Sequence, residues 1–578
     1  MAGEQRHVWR IVLRNFINSL KPRPIRGTNM GTDYIGNIYF EIPANPSVGK
    51  RKPVRWYDPP KNKDFQDPLP AEWESWLRFR RPEPPTEEEI LKNLALMKMK
   101  QENAARIEER RLAQGGSLPP VPESGQQSFP TYSEYQYDDI VKLIQLNTWK
   151  FPPTIYANIV FAKERCLSCL FVKMAEGRLS SEQIYALEDK YGCRNYAPLP
   201  VALCRGQGVF VWDVEGKKYY DFLSAYSAVN QGHCHQRIIN ALHKQADTLT
   251  LVSRAFYSDK LGEYERFMTE VFGFDRLLPM NSGVEGGESA CKIARKWAYD
   301  VKKVPKDKCK IIFVEGNFWG RTLSAVSASS DPSCYSGFGP FMPGFKLIPY
   351  NDLVALEEEL KDPHVAAFMV EPIQGEAGVI VPNEGYLQEV RRLCTKYNVL
   401  WIADEVQTGL GRTGKLLAVD HEGVKPDILI LGKALSGGVL PVSAVLANDD
   451  VMNVITPGTH GSTYGGNPLA CAVATEAMKV LLEEKLSENA DKMGRIFREE
   501  LNKIPKHKVT AVRGRGLMNA IDVADTYPAW DVCLKLRDAG LLAKTTHGQT
   551  IRFAPPLVIT EPQLREATAI VTKIFASL

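Results

Sequence analysis

From about residue 195 onward the chain alternates short, continuous apolar runs with stretches of helical periodicity. The clearest runs are KIIFVEG, AAFMVEPI, VLWIADEV and DILILGKAL, starting at Lys310, Ala366, Val399 and Asp427. A strand that is apolar on both sides is covered on both faces, as in a parallel sheet flanked by helices; a strand with one wet face alternates instead. Between the runs, EGYLQEVRRLCTKYN places Leu387, Val390, Leu393 and Cys394 at helical spacing. The pattern predicts an α/β fold with a mainly parallel central sheet. Upstream, VALCRGQGVFVWDVEGKKYYDF reads as a hairpin turning at Glu215-Gly216. Together with the last stretch, from about residue 478, it is expected to form a smaller α+β domain. The division that follows is a large domain over about 235–477 and a small one over 181–234 plus 478–578.

The first third has another character. Residues 1–150 hold 16 of the 38 prolines and 5 of the 10 tryptophans, too much proline to continue the sheet. They offer a strand-like GTDYIGNIYFEI, a short helix around AEWESWLRF and a charged helix from Thr86, where Thr86 and Glu89 suit a capping box and Gly115-Gly116 a stop. This predicts a small Pro/Trp-rich extension over 1–115. The polar, Pro-rich SLPPVPESGQQSFP opens a segment, 116–180, expected to be a poorly packed linker. Trp73 and Trp76, three apart, share one helix face, which serves either as a docking anchor or as the core of a small fold. GTDYIGNIYFEIP and PAEWESWLRFRRPEPPTEEEILKN resemble the mimitin-like accessory-subunit and assembly-factor family of complex I. That resemblance implies association with complex I intermediates and carries over no catalytic residue. Either the two parts form one natural polypeptide or two neighbouring reading frames have been joined.

Composition narrows the partners. With 44% hydrophobic and 24% charged residues the chain is ordinary globular protein. The net charge of +4 is concentrated in residues 1–32, where six basic residues face a single Glu4, so the remainder is near neutrality and shows no electrostatic footprint for nucleic acid. Val8, Trp9, Ile11, Val12, Phe16 and Ile17 interleave with those basic residues, as in a mitochondrial transit peptide or a short surface helix. The most apolar stretch, TIYANIVFAKERCLSCLFVKM, is broken by Lys163, Glu164 and Arg165, so no membrane span is expected. The 11 cysteines all follow residue 165 and are scattered, which predicts reduced thiols. Cys166 and Cys169 have no second pair at zinc-ligand spacing, and no metal site is expected.

In open α/β sheets ligands bind beyond the carboxyl ends of the strands. VLWIADEV carries Asp404 at that end and DILILGKAL carries Lys433. An ammonium there is costly to bury, whereas a desolvated lysine is a Schiff-base nucleophile; the bland reading is a lysine snorkelling from a strand end. The loop from Asn281 to Gly287 puts small residues before a helix, where free backbone N–H groups suit a phosphate. It has the spacing of neither the dinucleotide fingerprint nor the P-loop. Carboxylate, lysine and phosphate cradle together meet the needs of pyridoxal 5'-phosphate: an amine for its aldehyde, an anion for its ring nitrogen, N–H donors for its phosphate.

ADEVQTGLGRTGK, PDILILGKALSGGVLPVSAV and HGSTYGGNPLACAVA resemble the signature of class III pyridoxal-phosphate aminotransferases of fold type I. NYAPLPVALCRGQGVFVWDVEG, SAYSAVNQGHCH, GNFWGRTLSAVS, EPIQGEAG and THGQTIRFAPPLVI extend the likeness over 181–578, toward members that act on ornithine. The resemblance implies that Lys433 binds the cofactor and shuttles the proton, Asp404 pairs with the ring nitrogen, Gln407 lies beside the ring hydroxyl and Phe318 stacks on the ring. Gly283 and Val284 would hold the phosphate, joined by Ser462 and Thr463 from a neighbouring subunit, which makes a homodimer the minimal active unit. For substrate it assigns Arg321 to the α-carboxylate, Tyr196 to the α-amino end and Tyr226 to the pocket wall. Glu376 and Arg552 would form a removable ion pair, closed for L-ornithine and opened for 2-oxoglutarate. A mitochondrial matrix enzyme is implied, with another ω-aminotransferase, for acetylornithine or 4-aminobutyrate, as the rival. The extra glycines of TGLGRTG and MNSGVEGGESA depart from the pattern and are expected to loosen those loops slightly.

Overall fold

The computed structural model describes residues 27–44, 53–60, 69–79, 81–86, 89–90 and 179–578. The basic segment 1–26, the charged helix beyond Ile90, the linker up to residue 178 and the Cys166/Cys169 pair lie outside the described residues. The chain divides into two units, 1–150 and 151–578.

In the first unit, β1 (Thr28–Thr32), β2 (Ile38–Ile42) and β3 (Val54–Asp58) form an antiparallel sheet in that order. Asp33 closes the β1–β2 turn, its Oδ1 accepting from the N–H groups of Ile35, Gly36 and Asn37. Helix α1 (Ala71–Leu77) lies against the sheet's Tyr39: Trp73 stacks on that ring at 3.9 Å, and Trp76 meets Trp73 edge-on at 5.7 Å. Both tryptophans are buried, so their shared face is the core of this unit and not a docking anchor. Thr86 and Glu89 exchange the two hydrogen bonds of the expected capping box.

Among the described residues the second unit opens with α2 (Ser181–Tyr191), capped by Ser180. The expected hairpin follows as β4 (Leu203–Gln207), β5 (Phe210–Asp213) and β6 (Lys218–Asp221), and Gly216 takes φ +89° in the β5–β6 turn. The central sheet comprises β7 (Arg276–Met280), β8 (Lys310–Val314), β9 (Phe345–Ile348), β10 (Val365–Val370), β11 (Leu400–Asp404), β12 (Ile428–Leu431) and β13 (Ser443–Ala447), in the order β7-β13-β12-β11-β10-β8-β9. Only β13 runs against its neighbours. The four runs singled out in the sequence are β8, β10, β11 and β12, and every residue of the last three is buried. Helix α3 (Gly283–Asp300) packs on this sheet. A Cβ at Gly286 would sit 2.9 Å from Ile430, and one at Gly287 2.5 Å from Trp319. Gly286 and Gly287 thus lie within α3, where the lack of a side chain permits close packing.

Two smaller sheets complete the unit. β14 (Val509–Arg515), β15 (Met518–Val523), β17 (Lys544–Thr546) and β18 (Thr550–Phe553) form one, in the order β14-β15-β18-β17. β16 (Leu541–Leu542) pairs in parallel with β6 and so joins the C-terminal stretch to the hairpin. Among the described residues no helix is long and apolar enough to cross a membrane.

Candidate functional site

The carboxyl ends of β10, β11 and β12 build the floor. Asp404 ends β11 and is in register with Ile430 of β12; Lys433 follows three residues on, opening a 3-10 turn with φ +43°. A lysine in the left-handed region costs free energy that its surroundings must cover, a feature concentrated at functional sites. Its Nζ makes no hydrogen bond or ion pair among the described residues. Burial pulls the Lys433 ammonium down to about 8, against the attraction of Asp404. Burial pushes the Asp404 carboxyl up to about 6, against a hydrogen bond from Val406 N–H and the charge of Lys433. That N–H reaches Asp404 Oδ1 at 3.0 Å, and Oδ2 has no protein donor among the described residues.

One strand over, Glu371 follows the end of β10. Its Oε1 accepts from Phe318 N–H at 2.9 Å and its Oε2 from Gly375 N–H at 3.1 Å, so one buried carboxyl ties two loops together. Burial, then the neighbouring Asp404, pushes this carboxyl up to about 8. The rule that picks out Asp404, a polar residue at the carboxyl end of a strand, also picks out Glu371, which the sequence reading passed over.

A cavity of about 200 Å³ lies over this floor, lined by Gly283, Val284, Phe318, Asp404, Gln407 and Lys433 among others. Gly283 and Val284 open α3, and their N–H groups precede the first internal acceptor of the helix. Ser282 caps it: Ser282 Oγ accepts from Glu285 N–H, and Glu285 Oε2 accepts from Ser282 N–H at 2.6 Å. At Gly320 a Cβ would meet Val284 at 2.2 Å, and at Gly283 one would meet Val406 at 2.8 Å, so side chains there would crowd the cradle. An unpartnered amine, a buried carboxylate with a spare oxygen and a helix N-terminus around one cavity fit pyridoxal 5'-phosphate.

A larger cavity, about 680 Å³, adjoins at Phe318 and is lined by Tyr196, Tyr226, Arg321 and Glu376. The Arg321 guanidinium lies 5.5 Å from the Phe318 ring centroid. Tyr226 belongs to a left-handed turn of four non-glycine residues, Ser224–Ser227, with φ between +47° and +72°. Asp221 Oδ1 braces the turn by accepting from Leu223 N–H and Ser224 N–H. Nothing in Ser-Ala-Tyr-Ser signals this conformation.

Arg552, on β18, is buried and bonded to one lining residue of each cavity, Glu376 of the larger and Gln407 of the smaller. It donates from Nη1 to Glu376 Oε2 at 2.9 Å and from Nη2 to Gln407 Oε1 at 2.7 Å, and its guanidinium lies 5.4 Å from the Tyr226 ring centroid. Burial lowers its pKa, against the attraction of Glu376. The Gln407 contact is one that sequence reasoning missed. Ser462 and Thr463 stand apart from both cavities: Ser462 Oγ accepts from Asn281 Nδ2 at 2.9 Å, and Thr463 is exposed.

Residues 191–575 match the aminotransferase class-III family, and the chain belongs to that family, whose cofactor is pyridoxal 5'-phosphate. Within it, the mitochondrial ornithine aminotransferase of Drosophila melanogaster is 69% identical over 398 residues, which are 69% of this chain and 92% of that protein. The crystal structure of ornithine aminotransferase from Toxoplasma gondii ME49 is 53% identical with a TM-score of 0.69, covering 70% of this chain and 97% of its own. The crystal structure of acetylornithine aminotransferase from Elizabethkingia anophelis is 56% identical with a TM-score of 0.64, covering 69% of this chain and 100% of its own. Residues 27–115 match the family of NADH ubiquinone oxidoreductase subunit NDUFA12.

Proposed function

We propose that the chain is a mitochondrial transaminase of the matrix that moves the δ-amino group of L-ornithine to 2-oxoglutarate, giving L-glutamate 5-semialdehyde and L-glutamate. The observation that carries this reading is the buried Arg552, paired with Glu376 on the wall of the larger cavity. When bound, pyridoxal 5'-phosphate supplies an aldehyde that accepts amines and an electron sink for the carbon that loses a proton. Lys433 supplies the resident amine, and once displaced by substrate its Nζ takes the proton from the substrate carbon and returns it on the cofactor side. Asp404 holds an anion at the ring nitrogen. Gln407 lies beside the ring hydroxyl, and Phe318 forms a wall against one ring face. Gly283 and Val284 donate N–H groups to the phosphate, and Ser462 and Thr463 reach the phosphate of the partner in a homodimer.

In the substrate cavity, Arg321 takes the α-carboxylate of L-ornithine, Tyr196 the α-amino end, and Tyr226 the wall beside the chain. Glu376 keeps Arg552 neutralised, so the distal amine meets no competing carboxylate site. 2-Oxoglutarate brings a carboxylate to that end; Glu376 withdraws, and the planar guanidinium takes the carboxylate with paired donors. Rates with L-ornithine, acetylornithine and 4-aminobutyrate as donors test this: L-ornithine should be used with the highest kcat/KM and yield the 5-semialdehyde. A preference for acetylornithine would transfer the reading to the rival supported by the 56% identical structure.

For the N-terminal unit, the match over residues 27–115 supports association with complex I intermediates. Co-purification of those intermediates with the full chain, and its loss on removal of residues 1–115, tests this.

A further inference from the structure

Arg552 has two side-chain acceptors of opposite character. Glu376 is one-third exposed on the wall of the larger cavity. Gln407 is 5% exposed and boxed in: a Cβ on Gly375 would fall 2.6–2.7 Å from its Cδ, Oε1 and Nε2. The backbone beneath it is held in turn, since Gly375 N–H donates to the buried Glu371 at 3.1 Å. A guanidinium only donates, so the end of the Gln407 amide that meets it is the oxygen. One acceptor can therefore move and the other cannot.

We propose that Gln407 is the fixed anchor of Arg552, a positioning residue that keeps the guanidinium in place when Glu376 withdraws and thereby sets the site's affinity for a second carboxylate. The proposal rests on the carboxylate role given to Arg552 above. With Gln407 present, loss of Glu376 leaves Arg552 one short hydrogen bond from a rigid partner and the Tyr226 ring beside it. Without Gln407, a buried cation would have no side-chain acceptor and would turn toward other groups, which costs the site its preorganisation.

Glutarate, which has two carboxylates and neither an amine nor a ketone, probes this in the holoenzyme by calorimetry. Pentanoate, with one carboxylate for Arg321 and no amine to react with the cofactor, serves as the reference ligand. Glu376→Ala should bind glutarate about tenfold more tightly than the parent. With cofactor kept saturating, because Gln407 also lines its cavity, adding Gln407→Met should abolish that gain, weakening glutarate by about tenfold or more relative to the single variant and pentanoate by a clearly smaller factor. Gly375→Ala in the Glu376→Ala background displaces the amide without removing it and should weaken glutarate by a smaller factor with the same selectivity. Unchanged glutarate affinity in both double variants would overturn the anchor. Equal weakening of both ligands would also overturn it, since that is what a merely structural role produces. Arg552→Ala in the Glu376→Ala background separates the two levels of inference: if it leaves glutarate binding unchanged, the carboxylate role of Arg552 itself fails.

Discussion

On the cofactor side of Phe318, Asp404, Glu371 and Gln407 are each at most 5% exposed, and backbone N–H groups of Val406, Phe318 and Gly375 hold the two carboxyls. On the substrate side Tyr196 is 75% exposed, Arg321 is exposed, and Tyr226 rides on a strained left-handed turn. The first region fixes groups whose protonation is set by burial; the second, on the proposed function, presents groups that yield to two different substrates. Arg552 belongs to both, being buried like the first and paired to Glu376, a part-exposed residue of the second. On the proposed function, reaction type is set in the buried region and substrate selection in the more exposed one.

If that division is right, damage on the cofactor side should spare neither substrate. Lys433→Ala should lower turnover by roughly four orders of magnitude in both directions, through loss of the nucleophile and proton shuttle together. Borohydride should no longer attach cofactor to the protein; a reducible attachment in that variant would move the nucleophile to another lysine. Damage at the junction should be one-sided. Arg552→Ala should slow the 2-oxoglutarate half-reaction by about tenfold to a hundredfold, the value of a lost arginine–carboxylate contact of about 1.5–3 kcal/mol, and leave the L-ornithine half within a small factor.

The pH dependence of cofactor capture sharpens the same contrast. The unprotonated amine is the reactive form, so the rate at which cofactor-free protein takes up pyridoxal 5'-phosphate should rise through about pH 8 and then level off. A lysine at its ordinary value would still be gaining near pH 10. Below about pH 6 Asp404 loses its charge and cofactor affinity should fall. Stopped-flow absorbance follows the first effect and equilibrium titration the second. The smallest effect belongs to the substrate side: Ala225, exposed and at φ +47°, changed to Gly should stabilise the protein by about 1 kcal/mol by relieving left-handed strain. A lower denaturation midpoint for Ala225→Gly would show that the turn stores no such strain.

The strands most legible in the sequence were those buried on both faces, because continuous apolar runs such as VAAFMV leave no wet side. β13 escaped notice: SAVLA is short, and its reversed direction depends on pairing with β12 and β7, which no local pattern encodes. Asp404 and Lys433 were legible as polar residues closing apolar strands, and Glu371 could have been found the same way. The Arg552–Gln407 contact joins residues 145 positions apart and has no local signal. In the N-terminal unit the spacing of Trp73 and Trp76 revealed a shared face, but only the packing of Tyr39 against it showed that the face points inward.

On the proposed function one removable carboxylate, Glu376, decides which carboxylate the site accepts. Single-turnover rates of the two half-reactions, measured separately in Glu376→Ala holoenzyme, test it most directly. The uncovered Arg552 should speed reaction with L-glutamate through its α-amine, while L-ornithine loses its preference for transfer of the δ-amino group. Equal slowing of both half-reactions, with δ-transfer from L-ornithine still preferred, would make the Glu376–Arg552 pair a structural contact and rule out the switch.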